Sequence, residues 1–593
     1  MNQSTTLGHS ILSMSRRNPE NIAVQFKSNE QWQKKSWSEY YQDIETAGAA
    51  LLALGIRPGD RVAIMANTRY EWSVMDLGIF GVKAITVPIY QNNTPEDVEY
   101  ILNNSGARLL ICETRGPLKI FESVKAQCPL IEQVIVFEDK CPQKEVLTWS
   151  LFLEKGRTYL KEHPQSYRAL CETLVPEDTA TILYTSGTTG RPKGVVLTHL
   201  QALSEVSEGF TLCGVTEKDI SLSFLPYAHI LGRIEHWGHL YIGSTLAFAE
   251  SLEKVRGNLL EIRPTYMVSV PRIFEKIYAA IWAQVQTQYL KLKVFKWAVE
   301  IGKKVGHYKM SGQVLPLDLL LQYELAQKLV LNKINEAFGG RLRFAISGGA
   351  PLSQDISLFF HAAGILVLEG YGLTETTAAI TVNTPFNYRF GSVGRPIGEV
   401  QVKIAADGEI LIKSDKVMKE YYNDPAATAE VFSDGWFHTG DIGELLPGGD
   451  LKITDRKKDL IKTAGGKYVA PQRLEGLLQL SPYIANVLIH GDQKKYIVAL
   501  VTLDRPTVLK AAKEKNLDTS DWPALLHTPF VQDLIRKAVA ETNSQLASYE
   551  SIKRYLILPV EFTVEGGELT PSMKVKRKVL DQRYKKEITA LYQ

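Results

Sequence analysis

Ala180-Thr181-Ile182-Leu183 runs straight into Tyr184-Thr185-Ser186-Gly187-Thr188-Thr189-Gly190-Arg191-Pro192-Lys193-Gly194. The apolar run reads as a buried strand. The stretch after it has two glycines and four hydroxyl residues ahead of a lysine. Glycine lets backbone come close to a ligand, and successive N–H groups with hydroxyls form a concave anion nest. A phosphate-binding loop is one reading. The other is an ordinary polar turn, which uses the same residues. It is not a Walker A loop, which closes on Gly-Lys-Ser/Thr, whereas here the order is Lys193-Gly194.

Upstream, helix and strand signals alternate. Tyr40 to Leu54 has helical spacing and stops at Gly55. Arg61–Met65, Ala84–Val87, Leu109–Cys112 and Val134–Phe137 read as buried strands, and Trp72 to Gly81 as a helix between the first two. Such alternation predicts parallel βαβ units with ligands at the carboxyl ends of the strands. Pro88-Ile89-Tyr90 marks a strand exit, and Thr94-Pro95-Glu96-Asp97 a helix start.

With 593 residues the chain needs at least two cores. A net charge of +3 gives no argument for nucleic acid as a partner. The five cysteines, Cys112, Cys128, Cys141, Cys171 and Cys213, form no CxxC pair, so neither a disulfide framework nor a zinc site is expected. That fits a reducing, cytoplasmic setting. The N-terminal residues lack the basic start and apolar core of a secretory signal. No run of about 18 apolar residues predicts a membrane span.

Downstream, Leu222 to Ala228 leads to His229, which either faces a bound carboxylate or phosphate or packs as a core histidine. The segment 275–338 carries Lys291, Lys293, Lys296, Lys303, Lys304 and Lys309, with Trp282, Tyr289, Phe295 and Trp297 among or before them. A basic helix with aromatics on another face suits an anionic membrane surface, and it equally suits a solvated face packed on a domain. Arg341–Ile346 and Ile365–Leu368 read as strands. Each runs into a turn, Ser347-Gly348-Gly349-Ala350 and Glu369-Gly370-Tyr371-Gly372-Leu373-Thr374-Glu375. From about Asp459 the chain has short strands and helices, enough for a small α+β domain.

The stretch YTSGTTGRPKG resembles the signature of the AMP-forming, adenylate-forming superfamily, and the likeness runs from roughly residue 20 to the end. It implies a large N-terminal α/β domain (1–457) of βαβ-layered sheets with a small β-barrel-like part, and a small mobile α+β domain (458–593). It implies ATP, Mg²⁺ and coenzyme A as cofactor and substrates. The nucleotide would meet Thr185 to Gly190, Lys193, Gly349, Ala350, Glu369, Gly370, Gly372 and Thr374. Tyr371 would stack on the base, Asp441 would hold the ribose, and Arg456 would make a second ribose or phosphate contact. Glu375, helped by Thr185, would hold Mg²⁺. Lys458 would be the pivot and Gly465-Gly466 a turn on the coenzyme A side. Lys574 matches the lysine that enters for adenylation, with Lys576 its neighbouring rival, since Met573 stands where the common form has glycine.

Residues 222–230, the lysine-rich insertion and Leu569 to Lys576 resemble the long-chain fatty acid–CoA ligase branch. His229 would then lie near the acyl site. Peripheral contact with the inner face of a membrane through 275–338 is a further expectation. Rival readings are an adenylating ligase for another acid, a fatty acyl-AMP ligase that loads a carrier protein, and a degenerate lipid-binding module. Chain-length preference and oligomeric state are not legible.

Overall fold

The computed structural model describes residues 4–593 except 140–144, 186–190, 287 and 311. Its largest sheet has eight strands. Arg61–Met65 lies at its centre, parallel to Ile85–Ile89 on one side and Ala107–Cys112 on the other. Gln133–Val136 and Val146–Thr148 extend it in parallel on the second side. Thr179–Thr185 joins Ile85–Ile89 in parallel and then turns back as Lys193–Thr198. The strands read from sequence are thus present and parallel, because both faces are covered and apolar side chains are needed on each. Helix α1 (Tyr70–Gly81) has every residue but Glu71 buried, as expected for a crossover packed inside the domain. Helix α2 (Pro95–Ser105) begins at Thr94, whose hydroxyl accepts from the Asp97 N–H, with proline in the first turn.

A second sheet sets Tyr266–Ser269, Phe344–Ser347 and Leu366–Leu373 in parallel, then adds Ala378–Val382 antiparallel. Here the structure differs from the sequence reading. Glu369 to Leu373 is not a turn but the continuation of a strand, because Ala378–Val382 supplies it with a partner. Helix α3 (Ile230–Ile242) starts at His229. Strands Gln401–Ile404, Glu409–Lys413, Phe432–Ser433, Trp436–Leu445 and Leu451–Arg456 form a small antiparallel sheet.

The insertion folds as α4 (Pro271–Gln286), α5 (Tyr289–Met310) and α6 (Leu317–Ala326), followed by a π-helical turn, Gln327–Leu331. Its aromatics do not form an outward face. Phe295 is buried, and Trp282 and Trp297 pack against the core; only Tyr289 is exposed. The ring of Trp282 meets Phe295 edge-on at 5.0 Å.

Buried apolar side chains from Leu7 to Leu451 make up two clusters, and those from Ile461 to Ile588 make up two others. The second group surrounds the sheet Ile484–His490, Ile497–Leu503, Ile552–Leu558. Cys112, Cys128, Cys171 and Cys213 are buried free thiols; Cys141 lies outside the described residues. Among the described residues no helix is long and apolar enough to cross a membrane.

Candidate active site

The hairpin that opens the site is fixed at both ends. Thr185 stands opposite Lys193 in the antiparallel register, and its hydroxyl donates to the Lys193 carbonyl at 3.4 Å. The nest residues Ser186, Gly187, Thr188, Thr189 and Gly190 lie outside the described residues. The Lys193 ammonium sits 4.9 Å from the ring centroid of Tyr421.

Glu375 occupies a single 3₁₀ turn, Thr374–Thr376, at the end of the strand Leu366–Leu373. Its Oε1 accepts from the Tyr421 hydroxyl at 2.8 Å. The turn is held from behind: the Met418 N–H donates to the Glu375 carbonyl, and the Thr377 hydroxyl to the Lys416 carbonyl. Tyr421 went unnoticed in the sequence. No spacing signal marks it, because the contact joins residues 46 apart.

On the strand itself, Gly372 has no room for a side chain; a Cβ there would fall 1.4 Å from the Ala378 carbonyl oxygen. Gly370 meets only ordinary contacts. Gly349 takes a φ of +83° and leaves open space where a side chain would stand, with Ala350 exposed beside it. The Glu369 carboxylate accepts from the Leu352 N–H at 3.1 Å and so ties this turn to the strand. Burial pushes its pKa up to about 7.

Asp441 stands opposite Arg456 in the small antiparallel sheet. It is 5% exposed. Tyr371 donates its hydroxyl to Asp441 Oδ2 at 2.7 Å, and Arg456 Nε lies 3.6 Å from Oδ1. Burial raises the Asp441 pKa, and Arg456 opposes the rise. With its hydroxyl anchored, Tyr371 presents a fixed ring.

Lys574 comes from the other group of cores. Its loop is closed by the Thr570 hydroxyl, which accepts the Lys574 N–H at 3.0 Å, and by pairing of Leu569 with Val575. The next helix, α7 (Arg577–Arg583), is pinned by a half-buried ion pair of Arg577 with Glu475 at 2.5 Å. The loop docks on the start of α2, where Asn92 Nδ2 donates to the Pro571 carbonyl at 3.4 Å. Lys574 keeps solvent contact on its open side while protein crowds its ammonium. That crowding, with Arg456 adding to it, pulls its pKa down from 10.5 to about 8 against the pull of Asp441 and Glu375. Lys576, the rival, faces Asp97 of α2 instead.

His229 caps α3, its Nδ1 accepting the Leu231 N–H at 3.2 Å. Burial pulls its pKa down to about 4, and the charge of Lys574 adds to the drop. A neutral ring whose Nδ1 accepts carries its proton on Nε2, a donor. The structure thus brings Glu375, Asp441, Arg456, His229 and Lys574 around one space. Lys458 is exposed, in the short link between Arg456 and Ile461. Gly465 and Gly466 form an exposed turn at Thr463, braced by Lys494.

This arrangement could serve nucleotide chemistry, and the chain's similarities are to AMP-binding enzymes. The family model described as "AMP-binding enzyme" matches residues 13–422, and "AMP-binding enzyme C-terminal domain" matches 458–593. The chain belongs to the AMP-binding enzyme family. A Mycobacterium bovis protein named "Long-chain-fatty-acid--CoA ligase FadD15" is 35% identical over 582 residues, covering 97% of this chain and 95% of that one. "Long chain acyl-CoA synthetase 7, peroxisomal" of Arabidopsis thaliana is 32% identical, covering 94% and 82%. Two solved structures share the fold. The anthranilate CoA ligase AuaEII with anthranoyl-AMP has a TM-score of 0.74 at 20% identity, covering 98% of each chain. The Mycobacterium tuberculosis fatty acyl CoA synthetase has a TM-score of 0.62 at 23% identity, covering 99% and 100%.

Proposed function

We infer that the chain is a long-chain fatty acid–CoA ligase. It joins a fatty acid to AMP with release of pyrophosphate, then transfers the acyl group to the thiol of coenzyme A with release of AMP. The observation that carries the reading is Lys574. A lysine from the last quarter of the chain reaches a space lined by Asp441, Glu375, Arg456 and His229. The full-length relatives named as long-chain ligases support the substrate.

In the first half-reaction a carboxylate oxygen attacks the α-phosphorus, and the bond to pyrophosphate breaks. Both partners are anionic, so positive charge and fixed donors matter more than acid–base groups. Lys574 supplies the charge at the α-phosphate, and the Thr185–Gly190 nest and Lys193 hold the outer phosphates. Asp441 accepts from the ribose hydroxyls, and the anchored ring of Tyr371 covers the base. The Nε2–H of His229 donates to the acid carboxylate.

We assign Mg²⁺ to Glu375 and Thr185. Tyr421 engages one oxygen of Glu375, and no cluster of three or more metal-ligating side chains occurs among the described residues. That suits a cation held chiefly by nucleotide phosphates and water. When bound it would offset phosphate charge.

We propose a domain boundary at 458, supported by the separation of the cores on either side of residues 452–460. Rotation about Lys458 would withdraw Lys574 and bring the Gly465-Gly466 turn to the acyl carbon for the thioester step. We also assign the chain a peripheral place at a membrane. The test of the function is AMP formation from ATP across fatty acids of increasing length, with and without coenzyme A. A coenzyme A-dependent maximum among long chains is expected. A maximum with short or aromatic acids, or adenylate that accumulates despite coenzyme A, would replace this reading.

A further inference from the structure

Residues 289–329 hold ten of the 23 large apolar side chains left exposed among the described residues. They are not scattered. Helix α6 has two apolar faces. Leu319, Tyr323 and Ala326 turn inward. Leu317, Leu321 and Leu325 repeat every fourth residue on the outside, and Leu329 continues the row through the π-helical turn. Leu317 is 72% exposed, Leu321 59%, and Val314, just before the helix, 92%. Single exposed leucines need no explanation, but a contiguous row on one helix does.

The surroundings of the row are basic. Residues 289–333 contain eight lysines, Lys291, Lys293, Lys296, Lys303, Lys304, Lys309, Lys328 and Lys333, against Glu300, Asp318 and Glu324. All the lysines but Lys303 are exposed. A cavity of about 350 Å³ on the same unit is lined by Tyr308, Met310 and Leu358 together with Lys303, Lys304 and His307.

We propose that the outer face of α6 docks onto an acidic lipid bilayer. The leucines from Leu317 to Leu329 would enter the headgroup boundary, and the lysines would rest on anionic phosphates. This deepens the peripheral-membrane reading and moves its contact from the aromatics, of which Trp282, Phe295 and Trp297 pack against the core, to the leucine row. It rests on the fatty-acid reading for its purpose, since a long-chain acid is held in bilayers. Charge selects the occupant. A second copy of the chain meeting this face would set eight lysines against eight, whereas an anionic surface complements them. The charged residues of α6 itself are the acidic Asp318 and Glu324, so the positive charge comes from α5, Lys328 and Lys333, with the Lys309 ammonium 5.4 Å from the ring centroid of Tyr323 on α6. An apolar helix face beside such lysines lies in a bilayer interface rather than across it.

The test is flotation of the full chain with vesicles of phosphatidylcholine, alone and mixed equally with phosphatidylglycerol, at low and high salt. The unsubstituted chain is expected to float with acidic vesicles at low salt, more weakly at high salt, and not with neutral vesicles. The double variant Leu321→Gln/Leu325→Gln is expected to lose about tenfold or more in partitioning, while Leu445→Gln, an exposed leucine elsewhere, retains it. Lack of flotation by the unsubstituted chain overturns the proposal, as does equal flotation by the double variant. So does a dimer in sedimentation that the double variant dissolves without any vesicle binding, because a second copy then covers the face. ATP–pyrophosphate exchange with fatty acid delivered on serum albumin is run alongside. Exchange that persists while flotation fails sinks only the docking. Flotation without exchange sinks the ligase reading and, with it, the reason given for a bilayer.

Discussion

In the proposed function Lys574 would set the pH behaviour. Burial and Arg456 hold its pKa near 8, so the ammonium is present below that value and lost above it. Adenylation needs the charge, so kcat/KM should fall as pH rises through about 8. ATP phosphates favour the protonated form, so the limb in kcat should lie higher. Pyrophosphate exchange against pH reads both, and a kcat/KM limb beyond pH 10 would remove Lys574 from the role. His229, pulled to about 4, is neutral at ordinary pH and adds no limb near neutrality. Tyr421→Phe removes the hydroxyl that fixes Glu375. It should raise the KM for Mg·ATP by about tenfold, the worth of one charge-assisted hydrogen bond; an unchanged KM across Mg²⁺ concentrations would refute that. Met573 takes a φ of +64°, the left-handed region glycine enters freely, and its side chain is exposed.

Helix α3, which starts at His229, is clamped from within. Arg233 is fully buried, its Nη2 2.8 Å from Asp76 of α1 and its guanidinium about 5 Å from the rings of Trp72 and Trp237. His236, one turn on, lies 2.6 Å from the Ser73 hydroxyl. Asp76→Ala would leave Arg233 charged, buried and unpaired, a loss of about 3–5 kcal/mol. Urea unfolding of the purified chain followed by tryptophan fluorescence should show it as a lower midpoint. A shift no larger than that of Asp318→Ala on the exposed α6 surface would mean the clamp carries no stability.

At the scale of the molecule, the proposed rotation would let one small unit serve two reactions. In the orientation seen here the Lys574 loop is docked on α2. Lys574→Ala should slow acyl-adenylate formation by about a hundredfold or more, yet spare thioester formation from supplied acyl-adenylate. Rapid-quench measurement of each half-reaction decides it; equal losses in both would contradict a rotation that retires the lysine before the second step.

The sequence by itself determined the parallel strands, since Val62 to Met65 or Leu109 to Cys112 must be buried on both faces and are therefore continuously apolar. It also marked the hydroxyl-rich hairpin and the carboxylates Glu375 and Asp441, whose motifs are local. The tertiary structure alone decided the rest. Glu369 to Leu373 looked like a glycine turn until Ala378–Val382 gave it hydrogen-bond partners. The aromatics of the insertion left a membrane face and a packed face both open until α4 and α5 set Trp282, Phe295 and Trp297 against the core, leaving leucines outside. The nearness of Lys574 to Arg456, Asp441 and Glu375 and the bond of Tyr421 to Glu375 join residues far apart in sequence. Spacing encodes which face of one element is apolar; it does not encode which other element that face meets.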